Sequence, residues 1–346
     1  MHMADALISP AVGGTMWAAS AGLLAWCASK VRKTLDNRLV PMMGVLGAFI
    51  FASQMINFSI PATGSSGHVG GGLMLAILLG PHAAFVVIAS VLTVQALFFA
   101  DGGLLALGCN IFNLGFFPAF IACPFIYKPI VRDAQGGVRL WAGAMLAAIV
   151  GLQMGAFGVV VETTMPGISD LPFKTFVMLM QPIHLAIGAV EGLATAAVVS
   201  FVLRSHPATV AETAAFSGDT GGLRRVVIGF LAAAAVVGGA ASWFASTHPD
   251  GLEWALGKVS GKAEISAPGD GVHQTMAKMQ EKTAFLPDYG FKAGEPSAAA
   301  TDSPTEAPAR WPAVSAGTSV SGIVGGLITL ALAGLVGYGL KRRRAA

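Results

Sequence analysis

Long apolar runs separated by short polar breaks organise this chain. Crossing a bilayer takes roughly 20 predominantly apolar residues in a helix. Runs on that scale occur at 11–29, 40–60, 66–81, 83–100, 104–127, 140–161 and 174–203, with two more at 226–246 and 320–340. The third is the shortest. The pattern predicts an all-α integral membrane protein with nine crossings.

Composition agrees with this reading. Hydrophobic residues make up 54% of the 346 positions and charged residues 11%, about half the charged share of an ordinary soluble domain. The 44 glycines suit membrane helices, whose backbones approach at small side chains. The basic residues lie in clusters between the runs, and such clusters mark cytoplasmic loops. Lys30, Arg32, Lys33 and Arg38 place the first loop inside, as do Lys128, Arg132 and Arg139, then Arg204, Arg224 and Arg225. Lys341 to Arg344 do the same for the C-terminus. These assignments agree only if 61–127 crosses three times, and they put the N-terminus outside, with Glu162 and Asp170 in an acidic external loop. The small net charge of +3 gathers on no single solvated face, so no nucleic-acid partner is expected. Residues 1–28 lack the basic start of a cleaved signal, which favours a retained first helix. Cys27, Cys109 and Cys123 sit inside apolar runs without metal-site spacing and read as packing residues.

The expected organisation is a seven-helix unit over 1–205, a cytoplasmic linker over 206–223, and a two-helix unit over 224–346. The last encloses an external loop at 247–319. Its second half, Ala293 to Ser319, is rich in Ala, Pro, Ser and Thr and reads as a flexible linker.

The chain opens Met1-His2-Met3-Ala4-Asp5. A terminal amine, the amide nitrogen of a second-position His and its imidazole lie within one short chelate. With the amide deprotonated they offer three nearly coplanar nitrogens, a set suited to Ni(II) or Cu(II) with one corner open. The candidate fourth donor is His68, in Gly64-Ser65-Ser66-Gly67-His68-Val69-Gly70-Gly71-Gly72, at the external mouth of the third run. The plainer reading is an unordered start and a loop histidine. Polar residues inside apolar runs are costly and need partners. Gln181, His184 and Glu191 share one helical face and read as an ion path or proton relay, or as interhelical hydrogen bonding. Gln95, Asp101, Asn110 and Asn113 form a second group. Asp101 is placed either to orient a ligating imidazole or to shape a turn. His82 belongs to the other membrane face, whereas His206, His248 and His273 fall in loops and read as solvated. No phosphate-binding loop, zinc-protease motif or nucleophile elbow occurs, so the chain is not expected to be an enzyme.

These residues together resemble the CbiM/NikM family, the substrate-binding components of energy-coupling factor (ECF) nickel and cobalt importers, fused to a CbiN/NikN-type component. The resemblance over roughly 1–205 rests on Met1-His2, Ser66-Gly67-His68-Val69-Gly70-Gly71, Asp101-Gly102-Gly103, Gly108-Cys109-Asn110-Ile111-Phe112-Asn113, Gln181-Pro182-Ile183-His184 and Glu191-Gly192. Over 222–346 it rests on Pro249-Asp250-Gly251-Leu252-Glu253. It implies Ni2+ or Co2+ as transported substrate, held by Met1, His2 and His68, with no organic cofactor. It also implies a transmembrane coupling protein and two cytoplasmic ABC ATPase subunits as partners, in the cell inner membrane. The rival expectation is a self-contained carrier driven by protons through His184 and Glu191.

Overall fold

A computed structural model describes residues 2–34, 39–132, 136–165, 171–205, 220–261, 265, 271–292 and 311–345. Met1, Arg38, Asp170, His206, the 206–219 part of the linker and residues 293–310 lie outside the described residues. The first helices are α1 (Pro10–Thr34), α2 (Leu39–Gln54), α3 (Gly72–Leu79) and α4 (Pro81–Phe99). A short antiparallel ribbon, β1 (Phe58–Ile60) with β2 (Ser65–Gly67), lies between α2 and α3. Next come α5 (Leu107–Ile111), a π-helical stretch Phe112–Tyr127, α6 (Lys128–Val131), α7 (Val138–Thr164) and α8 (Phe173–Ser205). The second unit holds α9 (Thr220–Gly239), α10 (Gly251–Ser260), α11 (Gly271–Thr283) and α12 (Ala316–Ala345).

Among the described residues six helices are long and apolar enough to cross a membrane: Pro10–Thr34, Pro81–Phe99, Leu107–Val131, Val138–Thr164, Phe173–Ser205 and Ala316–Arg342. The apolar α2 is shorter. The run at 66–81 departs from the expected continuous helix. Its helical part, α3, has eight residues and is about 12 Å long, too short for a core of about 30 Å. The preceding glycines break helical continuity, and β2 and a glycine loop carry the rest. The segment runs between two ring contacts. At one end His68 stacks on His2, 5.0 Å between ring centres; at the other His82 meets Trp26, late in α1, at 4.7 Å. Gly80, at φ 79°, ends α3, and Pro81 starts α4, using the left-handed freedom of glycine and the helix-starting φ of proline.

Burial ranks the helices. Of α4's apolar window 78% is buried, against 17% for α1. The first helix is therefore peripheral and α4 central. In the second unit α9 and α12 pack along α2. Small residues permit this closeness: a Cβ on Gly44 would meet the Leu330 carbonyl at 2.8 Å, and one on Gly322 would meet the Gly238 carbonyl at 2.2 Å. Residues 316–319, expected in the linker, already belong to α12. The region before it carries α10 and α11. The first of these opens on Pro249-Asp250-Gly251-Leu252-Glu253, where the Asp250 side chain accepts from the Glu253 N–H and the Glu253 side chain accepts from the Asp250 N–H, a reciprocal cap. Replacing Gly322 by Val should force α9 and α12 apart and cost about 1–3 kcal/mol, read as a lower thermal unfolding midpoint of the purified chain.

Candidate metal centre

The residues before α1 form a strap laid over the segment between α4 and α5. Met3 is its anchor. Its N–H donates to Asn110 Oδ1 at 2.9 Å, and its carbonyl accepts from the Gly103 N–H at 2.8 Å and Asn110 Nδ2 at 3.2 Å. Asp5 adds a bond from the Ala106 N–H at 2.9 Å. A buried backbone needs such partners, and here they fix the register of the strap.

That register points the His2 ring at Asp101, with Nδ1 and Oδ1 2.8 Å apart. An ionised carboxylate only accepts, so Nδ1 carries a proton toward Asp101. Nε2 is buried and has no hydrogen-bond partner. Tyr289 donates its hydroxyl to Asp101 Oδ2. Burial pushes the Asp101 carboxyl up, but the charge and hydrogen bond of His2, with the Tyr289 hydroxyl, hold it well below the usual carboxylate range. It is ionised at neutral pH.

His68 sits in the glycine loop after β2, its Nδ1 3.1 Å from the Val69 carbonyl. That carbonyl can only accept, which leaves Nε2 as the lone-pair nitrogen. Two groups hold the loop. Glu191 on α8, 2% exposed, accepts from the Gly70 and Gly71 N–H groups at 2.8 and 3.1 Å. Gln54 on α2 donates to the Gly70 carbonyl at 2.8 Å and accepts from Gln95 at 2.8 Å. Glycine at 67 is required by packing, since a Cβ there would stand 2.5 Å from Ile187. Ser66 ties the ribbon to the second unit: its hydroxyl donates to the His248 carbonyl and its N–H to the Pro249 carbonyl, both at 2.8 Å.

The candidate residues therefore divide. His2, His68, Asp101, Asn110, Glu191 and His184 converge on one region. Asn113 and Gln181 do not. Asn113 donates to Glu162 at 2.7 Å, and Gln181 exchanges hydrogen bonds with Gln153 on α7. Both line a separate lateral cavity of about 870 Å³ between α1, the π-helical stretch and α7. His273 is not solvated as expected: it lies in α11, buried, and donates from Nε2 to the Ile8 carbonyl at 3.0 Å. His248 is exposed. Gln54, Tyr289 and Gln280, which donates to the Gly102 and Ala96 carbonyls, were not visible as site residues in the sequence, because each reaches its partner across tens of positions. Among the described residues no three His, Cys, Asp or Glu side chains are gathered as a metal-holding group. A centre here needs other nitrogens.

Comparison with known proteins decides the class. Residues 2–209 match the CbiM model, the cobalt uptake substrate-specific transmembrane region. The chain belongs to the CbiM family. Residues 224–342 match the PDGLE domain, so a CbiM/NikM unit is fused here to a NikN-type unit. The chain is 34% identical over 222 residues to the putative fused nickel transport protein NikMN of Archaeoglobus fulgidus, spanning 62% of this chain and 70% of that one. It is 30% identical over 315 residues to the fused nickel transport protein NikMN of Rhodobacter capsulatus, spanning 84% and 88%. A crystal structure described as a truncated transition metal transporter aligns at TM-score 0.50 and 32% identity, covering 60% of this chain and all of that one. The protein is thus a multi-pass membrane member of a nickel and cobalt transport family. Glu191→Ala should strand two buried N–H groups and cost about 2–6 kcal/mol, at about 1–3 kcal/mol per unsatisfied donor. Glu191→Gln, which keeps one acceptor, should lose clearly less in the same unfolding measurement.

Proposed function

We propose that this chain is the substrate-capture component of an ECF-type importer for Ni2+ or Co2+ in the cell inner membrane. The N-terminal strap faces outside and the C-terminus inside, with Met1, His2 and His68 as ligands. The observation that carries the reading is the meeting of His2 and His68, 66 positions apart, with rings stacked at 5.0 Å and His2 held by Asp101 at 2.8 Å. The Met1 amine, the His2 amide and two imidazoles would complete a planar nitrogen set, which suits Ni(II). A chelate with the His2 amide uses Nδ1 of that ring. The ring therefore turns about its Cβ–Cγ bond on binding, bringing Nδ1 to the ion and Nε2 to the edge beside Asp101. Asp101 then orients the ligating imidazole from behind, and Tyr289 orients Asp101. The seven-helix unit over 1–205 carries the site and the unit over 224–346 covers it. A coupling membrane protein and two ABC ATPase subunits supply the work of release, in keeping with a chain that lacks a phosphate-binding loop.

The proton-driven carrier reading draws less support. Its two proposed relay groups are engaged in holding structure, Glu191 on the Gly70 and Gly71 N–H groups and His184 on the Met180 carbonyl.

Calorimetry with nickel tests the capture site. One residue added before Met1, His2→Ala and His68→Ala should each weaken binding by more than about a hundredfold. Asp101→Asn should weaken it by about 10–100-fold, the range for an outer partner of a ligand. Unchanged affinity in the first three would overturn the site. Binding releases protons from the amine and amide, so apparent affinity should fall as pH is lowered. Purified chain in liposomes under a pH gradient, without ATPase subunits, should take up no nickel; uptake there would favour the carrier.

A further inference from the structure

We propose that the lateral cavity between α1, the π-helical stretch and α7 is a binding groove for one membrane lipid whose head carries a primary ammonium group. It is a site apart from the capture centre, and it stands whether or not that centre holds a metal.

The groove measures about 870 Å³, within the range of sites that take a whole small molecule. Its wall is apolar, with Phe112, Phe117, Val150, Met154 and Phe157 among the lining residues. It opens sideways, because Ala11 and Thr15 on α1 are exposed, as are Phe157 and Met165. For helices that span a membrane, that side is reached from the bilayer. On α7 the lining runs from Val150 to Met165. That is about 22 Å of helix, more than half of a hydrocarbon core of about 30 Å.

The two ends of the groove differ in polarity. Ala11, in the first turn of α1, and Val161, Glu162 and Met165, at the close of α7, mark the end on the side of the N-terminal strap. Glu162, expected in an external loop, instead lies in the last turn of α7 and is 7% exposed. It accepts from Asn113 Nδ2 at 2.7 Å. That bond settles the Asn113 amide, since only its nitrogen can donate. Asn113 is 2% exposed, and its Oδ1 is buried with no hydrogen-bond partner. Gly158 leaves this oxygen uncovered: a Cβ there would stand 2.4 Å from it. The other polar lining residues are satisfied. Thr15 donates to the Ala11 carbonyl, and Gln153 and Gln181 bond each other's carbonyls.

This chemistry selects the occupant. A buried acceptor left unmet is costly, and a buried carboxylate needs a counter-charge. Glu162 is the only ionisable side chain lining the groove among the described residues. An ammonium head answers both demands, with an N–H for Oδ1 and a positive charge beside the carboxylate. It would also sit at the C-terminal end of α7, where the helix dipole favours a cation. Below it the apolar wall suits an acyl chain. A neighbouring transmembrane helix fits less well, because its backbone N–H groups are spent on its own carbonyls.

Native mass spectrometry of the full purified chain tests the groove, with phosphatidylethanolamine, phosphatidylglycerol and phosphatidylcholine of identical acyl chains as probes. A choline head has the charge but no N–H. One phosphatidylethanolamine should bind at least about tenfold more tightly than phosphatidylcholine, the scale of one hydrogen bond to a charged group. Glu162→Gln, which keeps the volume and the bond from Asn113, should bring the two to within about threefold. Gly158→Leu should fill the groove and release the lipid. Added phosphatidylethanolamine should then raise the unfolding midpoint of the native chain but not of this variant. Should Gly158→Leu fail to fold, the Glu162→Gln comparison decides alone. The proposal is overturned if the native chain holds the three lipids equally or prefers phosphatidylglycerol. It is also overturned if the preference survives Glu162→Gln, or if folded Gly158→Leu binds phosphatidylethanolamine like the native chain.

Discussion

The anchoring of Met3 sets the geometry on which the rest depends. In surroundings without water every backbone N–H and carbonyl must find a partner inside the protein. The strap meets this demand by pairing Met3 with Asn110 and Gly103. Successive residues of an extended strand point to opposite faces. A slip of one position would therefore turn His2 away from Asp101 and His68. Asn110 is thus more than a polar residue in a helix: its amide reads the strap in both directions and fixes where the second residue of the chain goes.

The second unit gains a physical role from the same region. Tyr289 closes on Asp101, Gln280 on the carbonyls of Ala96 and Gly102, and His273 on Ile8. Ser66 binds the turn that precedes α10. These contacts come from both ends of the 249–289 stretch, so the unit fused at the C-terminus clasps the strap and the histidine loop from two sides. The close α9–α12 crossing at Gly238 and Gly322 and the packing of α12 on α2 hold that clasp to the helices below.

Much of this was legible in the sequence because burial in a membrane leaves a coarse signal, the long apolar run. The stretches at 83–100, 140–161 and 174–203 emerge as α4, α7 and α8 with shifts of a few residues. The run at 66–81 misled, since hydropathy counts apolar residues without weighing the glycines that break a helix. Within the site, chelate chemistry offered the meeting of His2 and His68 beside a plainer reading, the family resemblance favoured it, and Asp101 stood between orienting an imidazole and shaping a turn. Helical spacing put Gln181 on the face of His184, but spacing does not say which neighbouring helix each residue meets, and Gln181 met Gln153. Tyr289, Gln280 and His273 lay beyond local pattern, because their meaning comes from partners on distant elements.

The account turns on whether the ion is held by nitrogens of the strap and the histidine loop. X-ray absorption at the nickel edge of the purified, nickel-loaded chain tests this most directly. A four-coordinate planar shell of nitrogens, two of them imidazole, is the predicted result, and the planar signature should disappear in His68→Ala. A six-coordinate shell dominated by oxygen, or one containing sulfur, would contradict it.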